Sequence, residues 1–191
     1  EGRSSKDFEK TLGFLESNQK DVHDLLIKYT DACFLYLRKQ VQSGADVIQI
    51  FDSWANLLTK EDLIEFSFNY INSLISALKL DPITKNIPVI IFARNPKCNI
   101  EELINTSADC ISLFWSMNDL NFEVAKNKVA IQGNLDPKIL LESDETIKRE
   151  TYKILERFKE YPGYIFNLGH GITPDISPDK IKYLTNIVRE Y

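Results

Sequence analysis

Hydrogen-bonding side chains stand directly after a series of short apolar runs in this chain. Asp52 and Ser53 follow Val47 to Phe51, Arg94 and Asn95 follow Val89 to Ala93, and Ser116 and Asn118 follow Cys110 to Trp115. Gln132 and Asn134 close Val129 to Gln132, and Asn167 and His170 close Tyr164 to Leu168. If the runs are parallel strands, hydroxyl, amide, guanidinium and imidazole groups gather at one end of a sheet, which makes a binding pocket. Taken singly, each Asp, Asn or Ser is explained as well by turn and cap chemistry; their joint placement favours function. Gly169-His170-Gly171 reads either as a steerable imidazole between flexible glycines or as a turn histidine. Asp136 before Pro137 reads as a helix cap, His23 as a solvated residue on a helix flank, and Trp54 and Trp115 as wall or core residues.

Several chemistries lack their sequence carriers. No G-x-G-x-x-G, G-x-x-x-x-G-K-[ST], H-E-x-x-H or G-x-S-x-G occurs, and no His and Cys pair has zinc-ligand spacing. The net charge of −5 arises from 28 acidic and 23 basic residues mixed along the chain, with no basic block to suit nucleic acid or an anionic membrane. Three cysteines, Cys33, Cys98 and Cys110, fit a reducing compartment better than a disulfide framework. No apolar run reaches the roughly 18 residues of a membrane span. Residues 1–10 are polar, do not begin with methionine and do not resemble a targeting peptide, so the start reads as an interior cut.

The elements that must position these groups follow from periodicity. Val22, Leu25, Leu26, Tyr29, Cys33, Leu37 and Val41 recur on one helical face over Asp21 to Val41, and Gly44 stops it. A strand over Val47 to Phe51 precedes Thr59, which with Asp62 forms a capping pair. Leu63, Phe66, Tyr70, Ile71, Leu74 and Leu78 then line the inner face of a second helix, which ends before Asp81-Pro82 because a residue preceding proline avoids helical dihedrals. Further strands are expected over Val89–Ala93, Cys110–Trp115, Val129–Gln132 and Tyr164–Leu168, and a last helix is capped by Ser177 and opened by Pro178. Continuous apolarity in the strands means that both faces are covered, as in a parallel sheet with crossover helices. The fold class is α/β, one domain or one piece of one.

At the strand ends the wording itself is informative. Glu1 to Ser5, Gly44-Ala45 followed by IQIFDSW (Ile48 to Trp54), IIFAR (Ile90 to Arg94), QGNLDP (Gln132 to Pro137) and FNLGHG (Phe166 to Gly171) together resemble the uroporphyrinogen decarboxylase family from end to end. The resemblance implies the C-terminal part of a (β/α)8 barrel, residues 1–191 being one portion of a single domain whose N-terminal half is absent. It implies a carboxy-lyase without cofactor or metal that removes four acetate carboxyls from the tetrapyrrole uroporphyrinogen III to give coproporphyrinogen III in haem biosynthesis. Carried over residue by residue, Phe51 lines the pocket, Ser53 binds one substrate carboxylate and His170 contacts another. Asp52 and Arg94 are supporting candidates, Asp52 as an acid without an assigned contact and Arg94 toward a carboxylate. The catalytic aspartate, the carboxylate-binding arginines and a substrate-binding tyrosine belong to the absent half, so no catalytic residue is expected here and the piece alone is expected to be inactive. A homodimer is implied for the full-length enzyme, in cytoplasm or plastid, with neither nucleic acid nor membrane as partner. Leu113-Phe114-Trp115 departs from the family's acid before tryptophan. The alternatives are a related barrel methyltransferase, whose His and Cys zinc ligands have no counterpart in this sequence, and a truncated, non-catalytic tetrapyrrole-binding protein.

Overall fold

A computed structural model describes residues 8–118 and 121–191. The segment Glu1 to Ser5 that resembles the family's glycine- and serine-rich loop lies outside the described residues. Helices α1 (Glu9–Ser17) and α2 (Gln19–Gln42) lead to strand β1 (Ile48–Asp52). A continuous helical stretch follows, made of α3 (Lys60–Leu63), a π-helical turn (Ile64–Phe68) and α4 (Asn69–Leu80). Then come β2 (Val89–Ala93), α5 (Ile100–Ile104), β3 (Cys110–Ser112), β4 (Ala130–Gln132), α6 (Asp144–Phe158), β5 (Tyr164–Ile165) and α7 (Pro178–Glu190). The strands form one five-stranded parallel sheet in chain order, β1-β2-β3-β4-β5.

Strand register sorts the side chains into two faces, because alternate residues point to opposite sides of a pleated sheet. Ile50, Ile91, Ile111, Ile131 and Tyr164 share one transverse row. This row meets the helices: Ile91, Ile111 and Ile131 are fully buried in one cluster with Leu63, Ile75, Leu78 and Leu103, and Tyr164 stacks on Phe158 of α6 at 4.7 Å. Each such buried aliphatic side chain contributes about 1.5–3 kcal/mol. Phe51, Phe92, Ser112, Gln132 and Ile165 share the neighbouring row on the opposite, inner face. A second cluster, around Leu140, Ile147, Leu184 and Ile187, joins α6 to α7.

The expected strand over Val89–Ala93 forms as read, all five residues buried. Strand β4 starts one residue later than expected, and β3 and β5 end early, both for one reason. Gly133 has φ +127°, so the β4 backbone turns out of the sheet and β3 loses its partner after the bond from Leu113 N to Gln132 O. Beyond Ile165 the ladder resumes only as Leu135 N to Asn167 O, Gly169 N to Leu135 O and a Leu135–Leu168 bridge. Between β3 and β4 the described residues carry a 3-10 turn (Phe122–Val124) where a crossover helix was expected. Helix α1, which no periodicity announced, buries none of its residues. The caps are as expected: Thr59 accepts from Asp62 N, Asp136 from Lys138 N and Ser177 from Asp179 N. Among the described residues no helix is long and apolar enough to cross a membrane.

Candidate substrate site at the strand ends

Phe51, Ser53, Arg94 and His170 all stand at the C-terminal ends of the strands or in the turns just beyond them, with Phe51 on the inner face. The Phe51 and Phe92 rings lie 5.8 Å apart, as their registered positions on β1 and β2 require. His170 meets Phe92 edge-on at 6.3 Å and Phe114 at 5.9 Å with an interplanar angle of 85°. Such edge-to-face contacts contribute about 0.5–1.5 kcal/mol each. The imidazole therefore rests on an aromatic floor that also carries Phe51, while its own residue stays exposed. Its Nδ1 lies 3.4 Å from the Gly171 carbonyl oxygen; a proton donated there leaves Nε2 to face a ligand.

The two glycines around His170 do different work. A side chain on Gly169 would fall 2.4 Å from the Trp115 nitrogen and 2.6 Å from its Cα, whereas Gly171 has open space around it. Gly169 is thus a close-approach glycine that lets the loop after β5 pack against the chain after β3, bringing His170 over Phe114. The Trp115 ring is partly exposed beside this contact rather than part of the core. Trp54 is likewise half exposed, so of its two readings, wall or core, the core one does not hold. The Phe8 ring lies tilted against Trp54 at 4.6 Å, and the Arg94 guanidinium sits over the same ring at 5.9 Å. A cation held over an aromatic face keeps its hydrogen-bond donors directed outward at its edge.

Not every candidate faces the site. Asp52 lies on the outer side of β1, where its carboxylate accepts a hydrogen bond from Ser67 Oγ at 2.5 Å, and its carbonyl oxygen accepts from Arg94 N. Gln132 donates to Ser112 Oγ at 3.0 Å within the buried inner row. Asn134 donates to the Phe114 carbonyl, and Asn167 Oδ1 accepts from Leu168 N, so both amides hold loops together. Asn95, at φ 41°, accepts from Ser116 Oγ at 3.1 Å and ties the second and third strand-end loops. Sequence reading missed Phe92 and Phe114, the rings beneath His170; the signal was their position two residues before Arg94 and one before Trp115. His23 is also not the solvated residue expected: its Nδ1 is 2.6 Å from Tyr70 Oη, Nε2 is 3.3 Å from Glu65, and the ring stacks on Phe66.

Burial pushes the Cys110 thiol up to about 12, with the Asp109 charge adding to it. A thiol so placed stays protonated at neutral pH and is a core group, not a nucleophile. Among the described residues no three His, Cys, Asp or Glu side chains gather as ligands for a metal ion. What the strand ends offer is an apolar floor of aromatic rings and, around it, a guanidinium, a hydroxyl and an imidazole. Aromatic faces pack against apolar rings, and a guanidinium, a hydroxyl and an imidazole can each donate hydrogen bonds to anionic oxygens.

A parallel sheet with its helices on the outer side and its hydrogen-bonding groups at the strand C-termini defines an α/β chain that forms part of a (β/α)8 barrel. A methyltransferase from Methanosarcina mazei shares this fold with a TM-score of 0.66 over 91% of this chain and 53% of its own, at 21% identity. That is a likeness of fold alone. The sequence model of uroporphyrinogen decarboxylase (URO-D) matches residues 1–191, and the chain belongs to that family. It is 39% identical over 193 residues to the uroporphyrinogen decarboxylase of Ruthia magnifica subsp. Calyptogena magnifica, and 39% identical over 191 residues to that of Aquifex aeolicus. Both alignments take in 100% of this chain and 55% of the relative, so the chain spans about half the length of the curated relatives it matches.

Proposed function

We propose that this chain supplies one side of a uroporphyrinogen decarboxylase pocket, in an enzyme that converts uroporphyrinogen III to coproporphyrinogen III. The observation that carries the reading is His170 seated edge-on over Phe92 and Phe114, at the same sheet end as Phe51, Ser53 and Arg94. Family membership supports it independently. In each round a pyrrole ring carbon takes a proton, and the resulting cation accepts the electron pair released as the bond between the methylene carbon and its carboxylate breaks. Carbon dioxide leaves. Loss of the ring proton and protonation of the methylene carbon leave a methyl group, so each round consumes one proton overall. The ring is its own electron sink, and the protein has to bind, orient and stabilise charge. In this reading Phe51 and Phe92 face the pyrroles, while Ser53, His170 and Arg94 hold peripheral carboxylates. The proton-handling carboxylate lies in the part of the barrel beyond this chain, and the full-length enzyme works as a homodimer without a cofactor.

The test uses a protein of full family length that carries this chain. His170→Ala removes a charge-assisted hydrogen bond of about 1.5–3 kcal/mol, which corresponds to roughly a ten- to hundredfold loss in kcat/KM. His170→Asn keeps a donor and loses less. Because one pocket processes four differently placed acetates, partly decarboxylated porphyrinogens accumulate with the Ala variant and are resolved by chromatography beside those of Ser53→Ala. Unchanged turnover and product pattern in His170→Ala would return this residue to a turn.

A further inference from the structure

The Ser67–Asp52 contact is a polar pair where both elements should be apolar. On the outer side of β1, Asp52 follows Ile48 and Ile50, which pack into the helix layer. In the helical stretch, Ser67 falls among Leu63, Ile71 and Leu74 on the face turned to the sheet. Both residues also line an apolar cleft of about 460 Å³ that runs between α1, α2, α4 and β1. Replacing both partners of such a bond by apolar groups of similar shape is close to neutral for stability, so stability does not account for the pair. Its position does.

Among the described residues β1 pairs only with β2, and its last ladder bond is the one from Arg94 N to Asp52 O. The Ser67 hydroxyl restrains the same residue from the helix layer, at 2.5 Å. The serine reaches it from a π-helical turn, a geometry that shifts the helix phase and recurs at functional sites. Because neighbouring residues of a strand point to opposite faces, fixing Asp52 outward fixes the direction of Phe51 on the inner side, and it anchors the last strand residue from which the turn carrying Ser53 departs. We infer that Ser67 is a positioning residue: through Asp52 it sets the aim of the Ser53 hydroxyl and the Phe51 ring toward the carboxylate-bearing substrate. The inference rests on the proposed site.

The experiment is a double-mutant cycle in the full-length protein that carries this chain, comparing the parent with Ser53→Ala, Ser67→Ala, both together, and Ser67→Thr. Ser67→Ala should raise KM roughly three- to tenfold with kcat nearly unchanged, the signature of lost uniform binding. Ser67→Thr, which keeps the hydroxyl, should restore most of it. In the Ser53→Ala background the Ser67→Ala change should cost little more, since both act on one contact, and both single variants should accumulate the same partly decarboxylated products. A Ser67→Ala variant that loses thermal stability and kcat together, at unchanged KM and product pattern, would reduce Ser67 to a packing residue. So would an equal loss in both backgrounds. A well-folded parent without turnover would overturn the functional reading and this inference with it, whereas an active parent sensitive to Ser53→Ala but not Ser67→Ala overturns the inference alone.

Discussion

At the scale of single residues, the position of His170 depends on an atom that is not there. Any side chain at Gly169 would overlap the Trp115 backbone, and backbone cannot swing aside as the end of a flexible side chain can. Gly169→Ala should therefore destabilise by about 1–3 kcal/mol, the usual cost of overpacking, and lift His170 from Phe92 and Phe114. Gly171→Ala, in open space, should stay within about 0.5 kcal/mol of the parent. Urea unfolding midpoints of the two variants check this; equal midpoints would mean that the loop does not need the close approach. The sequence treats the two glycines alike because the difference lies in a tertiary neighbour, Trp115, on another strand end. The same blindness applies to His23, whose partners Glu65 and Tyr70 lie 42 and 47 residues away, and to Asp52, whose Ser67 partner is 15 residues away across the helix layer. The strand-end positions of Phe51, Ser53 and His170 were legible because the strand pattern that sets them is local.

At the scale of elements, strand and helix identities were legible wherever hydrophobic period and breaker residues agreed. Val89–Ala93 is buried throughout, and α4 ends at Leu80 just before Asp81-Pro82. The π-helical turn was not legible, since one extra residue in a turn leaves the apolar stripe nearly intact. Asp81 closes this region by holding α2 to the end of α4. Its carboxylate accepts from Arg38 Nε at 2.9 Å, Ile83 N at 2.9 Å and Thr84 N at 3.2 Å. Desolvation opposes the Asp81 charge, but the hydrogen bonds from Arg38 and from the turn outweigh it and hold its pKa below the ordinary value. An acid with a depressed folded-state pKa stabilises the fold above its unfolded value, about 3.9, and that stability is lost as pH falls from there through the folded value. Asp81→Asn should therefore melt below the parent at neutral pH, and the difference should shrink as pH drops below about 4. Thermal melts at pH 7 and at acid pH check the sign. A gap that is the same at both would remove the charge from the explanation.

At the scale of the whole molecule, the parallel sheet presents two edges. Inner-row residues near them, Phe51 on β1 and Ile165 on β5, are 63% and 44% exposed. Closing a barrel of this type takes eight strands, and this sheet has five in a chain that spans 55% of its curated relatives' length. The net charge of −5 also suits the proposed octacarboxylate substrate poorly unless the rest of the barrel brings cations. The central claim is that these 191 residues furnish one side of a decarboxylating pocket and need the remainder of the barrel to work. The most direct measurement incubates uroporphyrinogen III anaerobically with the purified chain, and separately with a full-family-length protein carrying it, and follows conversion to coproporphyrinogen III by chromatography. The account predicts conversion by the full-length protein, slowed in His170→Ala, and none by the chain alone. A folded full-length protein that releases no carbon dioxide from uroporphyrinogen would contradict the decarboxylase reading, and conversion by the chain alone would contradict the division of the pocket.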